Sequence, residues 1–274
     1  MPEGPEVRRE ADRIAAMLLD QPLTAVTLTP DGLRGYARGL VGRRVIAVTS
    51  RGKAMLIGFD DGRVLYSHNQ LYGRWMVSRD GSAPATRRSL RVALHTATGA
   101  AFLYSASTIE MLDAAGLASH PFLARLGPDA LDPALTWQAL ARRLGEAGFR
   151  NRTLAALYLD QGFLAGIGNY LRSEILFFAR LSPARRPADL APRERARLAR
   201  QSLAVTRRAY DTSGITNPPA RVARLRREGA RRGGYRFAVF ARDGRPCYTC
   251  GAVIERRMVA SRRLYLCPRC QGGA

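Results

Sequence analysis

Pro2 and Glu3 are the residues of this chain best suited to covalent chemistry. A small residue after an initiator methionine usually leads to removal of that methionine, so the mature chain is expected to begin at Pro2. Its nitrogen is then a secondary amine rather than an amide. An ordinary α-amino group has a pKa of about 7.7–8.0, which leaves a useful fraction neutral at neutral pH. A neutral amine attacks electrophilic carbon and forms an imine or iminium. Glu3, next to it, can move protons. The alternative is a disordered terminus that happens to carry a proline.

Lys53 is the second candidate. Lysine and arginine together number 44, and Lys53 is the only lysine among them. Lysine can give up its proton when buried, whereas arginine in effect cannot. A lone lysine in such a background marks a position where a guanidinium does not serve, unless it survives by chance. The run Ser67-His68-Asn69-Gln70-Leu71-Tyr72-Gly73 offers an amide, an apolar wedge and a stacking ring at Gln70, Leu71 and Tyr72. Proteins that distort duplexes insert such groups into the base stack. The competing reading is a strand end, with Leu71 and Tyr72 in the core. His68, His95 and His120 show no metal-ligand spacing and receive no role.

The four cysteines all lie near the C-terminus, as Cys247-x-x-Cys250 and Cys267-x-x-Cys270 separated by sixteen residues. This spacing predicts a tetrahedral zinc site in a short β-ribbon rather than disulfides. One structural zinc ion would order a segment too short to fold alone. Strands are expected at Arg256–Val259 and Leu264–Leu266, with Ser261-Arg262 at the tip. Farther upstream, Gly166-Ile167-Gly168-Asn169 predicts a tight turn with Asn169 as a helix N-cap. Exposed N–H groups there suit a phosphate, although an ordinary helix–turn–helix connection fits equally well.

The elements that must hold these groups can be read in outline. Val7, Ala11, Ile14 and Leu18 recur at helical spacing, so Pro2 precedes a helix N-terminus. From Leu23 to about Ser107, seven short segments often alternate and are rich in β-formers: Leu23–Thr29, Arg44–Thr49, Ala54–Phe59, Arg63–Ser67, Trp75–Val77, Leu90–Thr96 and Ala101–Tyr104. They predict an antiparallel sandwich or barrel, with Lys53 in a turn. The proline-containing stretch after Leu117 reads as a connection. Beyond it, Thr136–Gly145, Thr153–Leu159, Tyr170–Ala179 and Pro192–Tyr210 have helical period. The polar, arginine-rich stretch Thr212–Arg236 reads as a mobile linker or a DNA-facing loop.

A net charge of +22 over 274 residues favours a polyanionic partner. Nucleic acid is the commonest, and ribosomal association or an anionic membrane surface also fits. There is no apolar run of about 18 residues and no signal-peptide organisation, so no membrane span is expected and a cytoplasmic location is.

Taken together, Met1–Val7, Lys53, the stretch around Arg125, Asp160–Leu176 and the cysteine ribbon resemble the formamidopyrimidine-DNA glycosylase and endonuclease VIII family of base-excision repair enzymes. The resemblance covers nearly the whole chain, in the family order. It implies an α+β multidomain fold, in which an N-terminal antiparallel β-sandwich with flanking helices (1–118) is followed by a linker (119–135). A helical helix–two-turn–helix domain (136–220), a basic linker or loop (221–236) and a C-terminal zinc ribbon (237–274) complete it. Pro2 resembles the Schiff-base nucleophile, and Glu3 the acid that helps open the sugar and assists base loss. Lys53 resembles the residue assisting proton transfer in strand cleavage, and Arg262 the finger arginine linked to the second elimination. Arg125 and Asn169 match backbone-binding positions. Gln70-Leu71-Tyr72 is similar to the endonuclease VIII wedge, which implies oxidised pyrimidines in damaged double-stranded DNA as substrate; a monomer is the default expectation. An 8-oxoguanine or formamidopyrimidine specificity, or a zinc-ribbon protein that binds DNA structure without catalysis, are the rival readings. Arg74 beside the wedge and the length of the basic segment depart from the expected pattern.

Overall fold

The computed structural model describes residues 2–259 and 261–272 and divides into two compact units after Arg125. Met1, whose removal the sequence suggests, lies outside the described residues.

The first unit begins with α1 (Gly4–Leu18). Pro5 sits in the first turn, where its missing N–H costs nothing. The Glu6 carboxylate accepts the Glu3 N–H at 3.1 Å, closing the helix N-terminus. Val7, Ala11, Ile14 and Leu18 are all buried, as their spacing predicts. Two four-stranded antiparallel sheets follow, built from β1 (Ala25–Leu28), β2 (Val45–Arg51), β3 (Ala54–Phe59), β4 (Val64–His68), β5 (Arg74–Ser78), β6 (Leu90–Thr96), β7 (Gly99–Tyr104) and β8 (Thr108–Leu112). Their orders are β2-β3-β4-β8 and β1-β6-β7-β5. Short helices α2 (Tyr36–Leu40) and α3 (Ala114–Ser119) flank them. Met55, Ile57 and Leu65 from one sheet, and Trp75, Val92 and Leu103 from the other, share a single core with α1. Each such side chain contributes about 1.5–3 kcal/mol on burial.

This packing brings the chemistry-bearing residues to one end of the unit. Leu19, just after α1, bridges Val45 at the start of β2, and α1 packs along that strand. From this shared end α1 runs back about 22 Å to Glu3. β2 runs forward by about the same distance to the turn at Lys53. In the β3–β4 register Ala54 faces His68, so the 69–73 loop emerges at that end too.

The second unit packs α4 (Trp137–Arg143), α5 (Leu154–Leu157), α6 (Asn169–Phe178) and α7 (Pro192–Asp211) around Tyr158, Phe163, Leu171, Ile175 and Leu198. After α8 (Pro219–Arg227) and α9 (Arg232–Tyr235) the chain forms the hairpin of β9 (Glu255–Val259) and β10 (Arg262–Leu266). Among the described residues no helix is long and apolar enough to cross a membrane.

Three features differ from the sequence reading. β8 extends the sheet past Ser107, and α3 follows it. Asn169 is the first residue of α6 rather than its cap, which is Gly168. The 221–236 segment, expected as a linker or loop, contains α8 and α9. Pro219 starts α8, Leu225 is its buried anchor, and Gly229 at φ +81° follows its end. Arg221 ties it down by donating to Asn217 Oδ1 at 3.1 Å and to Thr249 Oγ1 at 3.0 Å.

Candidate functional site

In the first unit Pro2 is half-buried and lies one residue before Glu3, the N-cap of α1. Glu3 is only 5% exposed. The positive end of the helix dipole favours the uncharged form of an amine placed there. Lys53 and Gly52 form the two-residue turn between β2 and β3, since Arg51 pairs with Ala54. Gly52 takes φ +61°, the left-handed geometry such tight hairpins require. Burial, with the Lys53 ammonium beside it, pulls the His68 imidazole below its usual pKa. His68 Nδ1 accepts the Gln70 N–H at 3.1 Å, so in the neutral ring the proton resides on Nε2. His68 was assigned no role from spacing, yet it neighbours Lys53 and anchors the wedge.

The 69–73 loop, the expected wedge, is a preformed turn. Gly73 N–H donates to the Asn69 carbonyl at 2.7 Å. A Cβ on residue 73 would come within 2.7 Å of the same backbone, so glycine is required. Gln70 has φ 46°, and its amide is held by Thr108 Oγ1 at 2.7 Å and Ser107 Oγ at 3.1 Å. Arg88 donates to the Tyr72 carbonyl at 2.6 Å. Leu71 and Tyr72 are left 62% and 70% exposed, which rules out the core reading. An exposed leucine and tyrosine side by side on a rigid loop form a surface for stacked rings.

Beside Gln70 lies a cavity of about 450 Å³ lined by Tyr66, His68, Glu110, His120, Phe122 and Arg125, among others. His120 shapes it. Its Nδ1 accepts the N–H groups of Phe122 and Leu123 at 3.2 and 3.3 Å, and its ring packs on Tyr66 with centroids 4.3 Å apart. Burial and the Glu110 charge push the Tyr66 phenol up to about 12. The exposed Arg125 ends the turn Leu123–Arg125 and donates to the Pro121 carbonyl at 2.7 Å.

In the second unit Asn169 opens α6 behind a tightly packed turn. Gln161 accepts the Gly166 N–H at 3.1 Å and donates to the Ile167 carbonyl at 2.9 Å. Asp160 caps the Gly162 N–H at 2.8 Å and pairs with Arg152. A Cβ on Gly127 would clash with the Gly162 carbonyl at 2.3 Å, so two backbones meet directly there. α6 is stitched to the ribbon by polar groups that spacing did not reveal. Arg172, fully buried, donates to the carbonyls of Ala155 at 2.9 Å and Arg263 at 3.0 Å. Glu174, also fully buried, accepts N–H groups from Ala238, Val239 and Phe240, each at 2.8 Å, and the Thr216 hydroxyl. Burial pushes its carboxyl up, against the pull of those bonds.

The four cysteine sulfurs lie within 4.8 Å of one another, with Cys250–Cys267 at 3.4 Å and Cys247–Cys270 at 3.9 Å. A tetrahedral cation with metal–sulfur bonds of about 2.3 Å separates its ligands by about 3.8 Å, so this cage can hold a metal ion. Backbone N–H groups of Thr249 and Cys270 point at Cys247 and Cys267 sulfurs at 3.4 Å, as thiolate ligands need. The exposed Arg262 opens β10, immediately after Ser261 in the left-handed region. It and Asn169 belong to the second unit, whereas Pro2, Glu3, Lys53, Gln70–Tyr72 and Arg125 belong to the first.

Comparison with known proteins agrees with this architecture. The formamidopyrimidine-DNA glycosylase N-terminal domain matches residues 1–107, and the H2TH domain of that glycosylase matches residues 126–218. The chain is 48% identical over 271 residues to endonuclease 8 of Klebsiella pneumoniae (strain 342), covering 99% of this chain and all of the relative. It is 47% identical over the same length to endonuclease 8 of Escherichia coli (strain K12 / DH10B), with the same coverage. Among solved structures, MutM (Fpg) of Thermus thermophilus aligns over 100% of both chains, with a TM-score of 0.79 and 32% identity. Lactococcus lactis Fpg in complex with DNA containing N7-benzyl-Fapy-dG shares the fold, at TM-score 0.80 and 20% identity over 99% of this chain and 100% of that one.

Proposed function

The chain belongs to the formamidopyrimidine-DNA glycosylase family and is a DNA glycosylase/AP lyase of base excision repair, and from that premise we propose that it removes oxidised pyrimidines from duplex DNA as a monomer, through Pro2. A base inside the stack is out of reach, so the nucleotide is everted, at lower cost when damage has weakened its stacking. Gln70, Leu71 and Tyr72 fill the gap it leaves. Neutral Pro2 nitrogen bonds to the anomeric carbon while the C–N bond to the base breaks, and the proton on that nitrogen leaves with the base, which restores the nitrogen lone pair. Glu3 protonates the ring oxygen as the sugar opens, and the nitrogen lone pair completes the iminium. That iminium acidifies the neighbouring sugar proton. Removal of the proton expels the 3′ phosphate, assisted by Lys53. Loss of the next proton expels the 5′ phosphate, assisted by Arg262 on the ribbon.

Arg125 and Asn169 bind the backbone. Contacts of that kind give affinity that is independent of sequence and weakens with salt. Cys247, Cys250, Cys267 and Cys270 would hold one zinc ion, which would supply no reacting group and would order the ribbon that presents Arg262.

The observation that carries the lesion class is the contiguous, exposed Gln70-Leu71-Tyr72 turn at the same end of its unit as Pro2. Relatives called endonuclease 8 support it. Excision from duplexes with single lesions tests it. Thymine glycol and dihydrouracil should be released faster than 8-oxoguanine, and the reverse order would refute the assignment.

A further inference from the structure

Glu10 lies two turns into α1, outside the residues given catalytic roles. Its Oε2 accepts a 2.7 Å hydrogen bond from Asn69 Nδ2, 59 residues away in sequence. Asn69 is 4% exposed and opens the wedge turn. Because Gly73 closes that turn onto the Asn69 carbonyl with no room for a side chain, Asn69 and the wedge move together. The Asn69–Glu10 bond therefore links the wedge to the helix that begins at Pro2 and Glu3. The opposite face of the Asn69 amide is unsettled, since its buried Oδ1 meets no hydrogen-bond partner among the described residues. A buried acceptor left in that way is costly, and a protonated carboxyl is the donor that would satisfy it.

We propose that Glu10 is a positioning residue for the wedge, setting through Asn69 how far Gln70, Leu71 and Tyr72 reach relative to the Pro2 helix, and releasing that setting when it takes up a proton. The ionised carboxylate holds Asn69 by its N–H. The neutral carboxyl loses the charge that strengthens this bond and can donate its own O–H to Oδ1 once the amide turns over. Burial pushes the Glu10 carboxyl up to about 7, against the Asn69 hydrogen bond and the charges of Arg13 and Arg74, with Glu6 adding a smaller push upward. Arg13 and Glu6 lie on the same helix as Glu10, and Arg74 begins β5 directly after the wedge, so the departure noted beside the wedge has a partner. The inference rests on the wedge role proposed above.

The test reads insertion before any bond is broken. Stopped-flow fluorescence of 2-aminopurine next to a non-reactive abasic analogue in duplex DNA follows unstacking from pH 5.5 to 8.5. The wild-type insertion rate should rise through a step near pH 7. Glu10→Gln keeps an acceptor for Asn69 and should lose the step. Glu10→Ala should insert about tenfold to a hundredfold more slowly above pH 7. It should still trap at normal rate on single-stranded abasic DNA, where no stack is opened. A step that persists in Glu10→Gln, or Glu10→Ala inserting like the wild type, would overturn the proposal. If wild type traps no abasic DNA yet shows a Glu10-dependent step, the positioning stands and the catalytic reading falls. If it traps normally but shows no step, the reverse holds.

Discussion

The Asn69–Glu10 pair of the first unit and Glu174 of α6 in the second are satisfied to different degrees. At the wedge, apolar side chains face solvent and polar ones are held behind them. Leu71 and Tyr72 are mostly exposed, while Asn69 is buried with its Oδ1 unpartnered among the described residues. Around α6, Glu174 is fully buried and saturated by three backbone N–H groups and a hydroxyl. A half-satisfied polar pair sits close to two arrangements, and a saturated one has a single arrangement. The first pair leaves the 69–73 turn two ways to be held, and the second holds α6 to the 238–240 segment in one.

This contrast can be broken at several points. The largest effect is expected on chelating the metal, or in Cys267→Ser. Binding to a four-cysteine cage is worth on the order of 10 kcal/mol, so the ribbon should unfold and elemental analysis should show loss of one zinc per chain. The first unit should keep its near-UV circular dichroism. Next is Glu174→Ala, which strands three buried N–H groups and should lower the stability of the second unit by about 3–5 kcal/mol in urea titrations.

Glu10→Gln should give a smaller, pH-dependent change. A carboxyl that ionises near 7 when folded and near 4.5 otherwise binds its proton more tightly in the folded chain. Its contribution is complete below pH 4.5 and is lost as the pH rises through 7. Relative to Glu10→Gln, the wild type should therefore lose up to about 3 kcal/mol across that window. The smallest stability effect belongs to Leu71→Ala, within about 0.5 kcal/mol because the side chain is 62% exposed. The same variant should excise poorly from duplexes, and a loss of stability without loss of excision would place Leu71 in the fold instead.

What could be read from the sequence follows the same division. The strands Ala54–Phe59 and Leu90–Thr96 match their predicted bounds, because their apolar, β-forming residues and flanking turns are local signals. β8 is hard to read although Thr108-Ile109-Glu110-Met111 alternates, because the run is short and all five of its residues are only half-buried. It is a strand by virtue of pairing with β4. α8 was hidden by its arginines and the Pro218-Pro219 pair, and one buried leucine with a bond to Thr249 overrides them. Pro2, Lys53 and the cysteines stood out by rarity or spacing. Glu10, Arg172 and Glu174 act through partners between 17 and 91 residues away, which leave no local trace, and His68 through burial and Lys53 across a hairpin.

Borohydride reduction of the verified mature chain mixed with abasic-site DNA examines the central claim most directly. The expected result is a covalent protein–DNA adduct that peptide mapping locates at Pro2 and that acetylation of the terminus abolishes. An adduct at Lys53, or none at all, would contradict it.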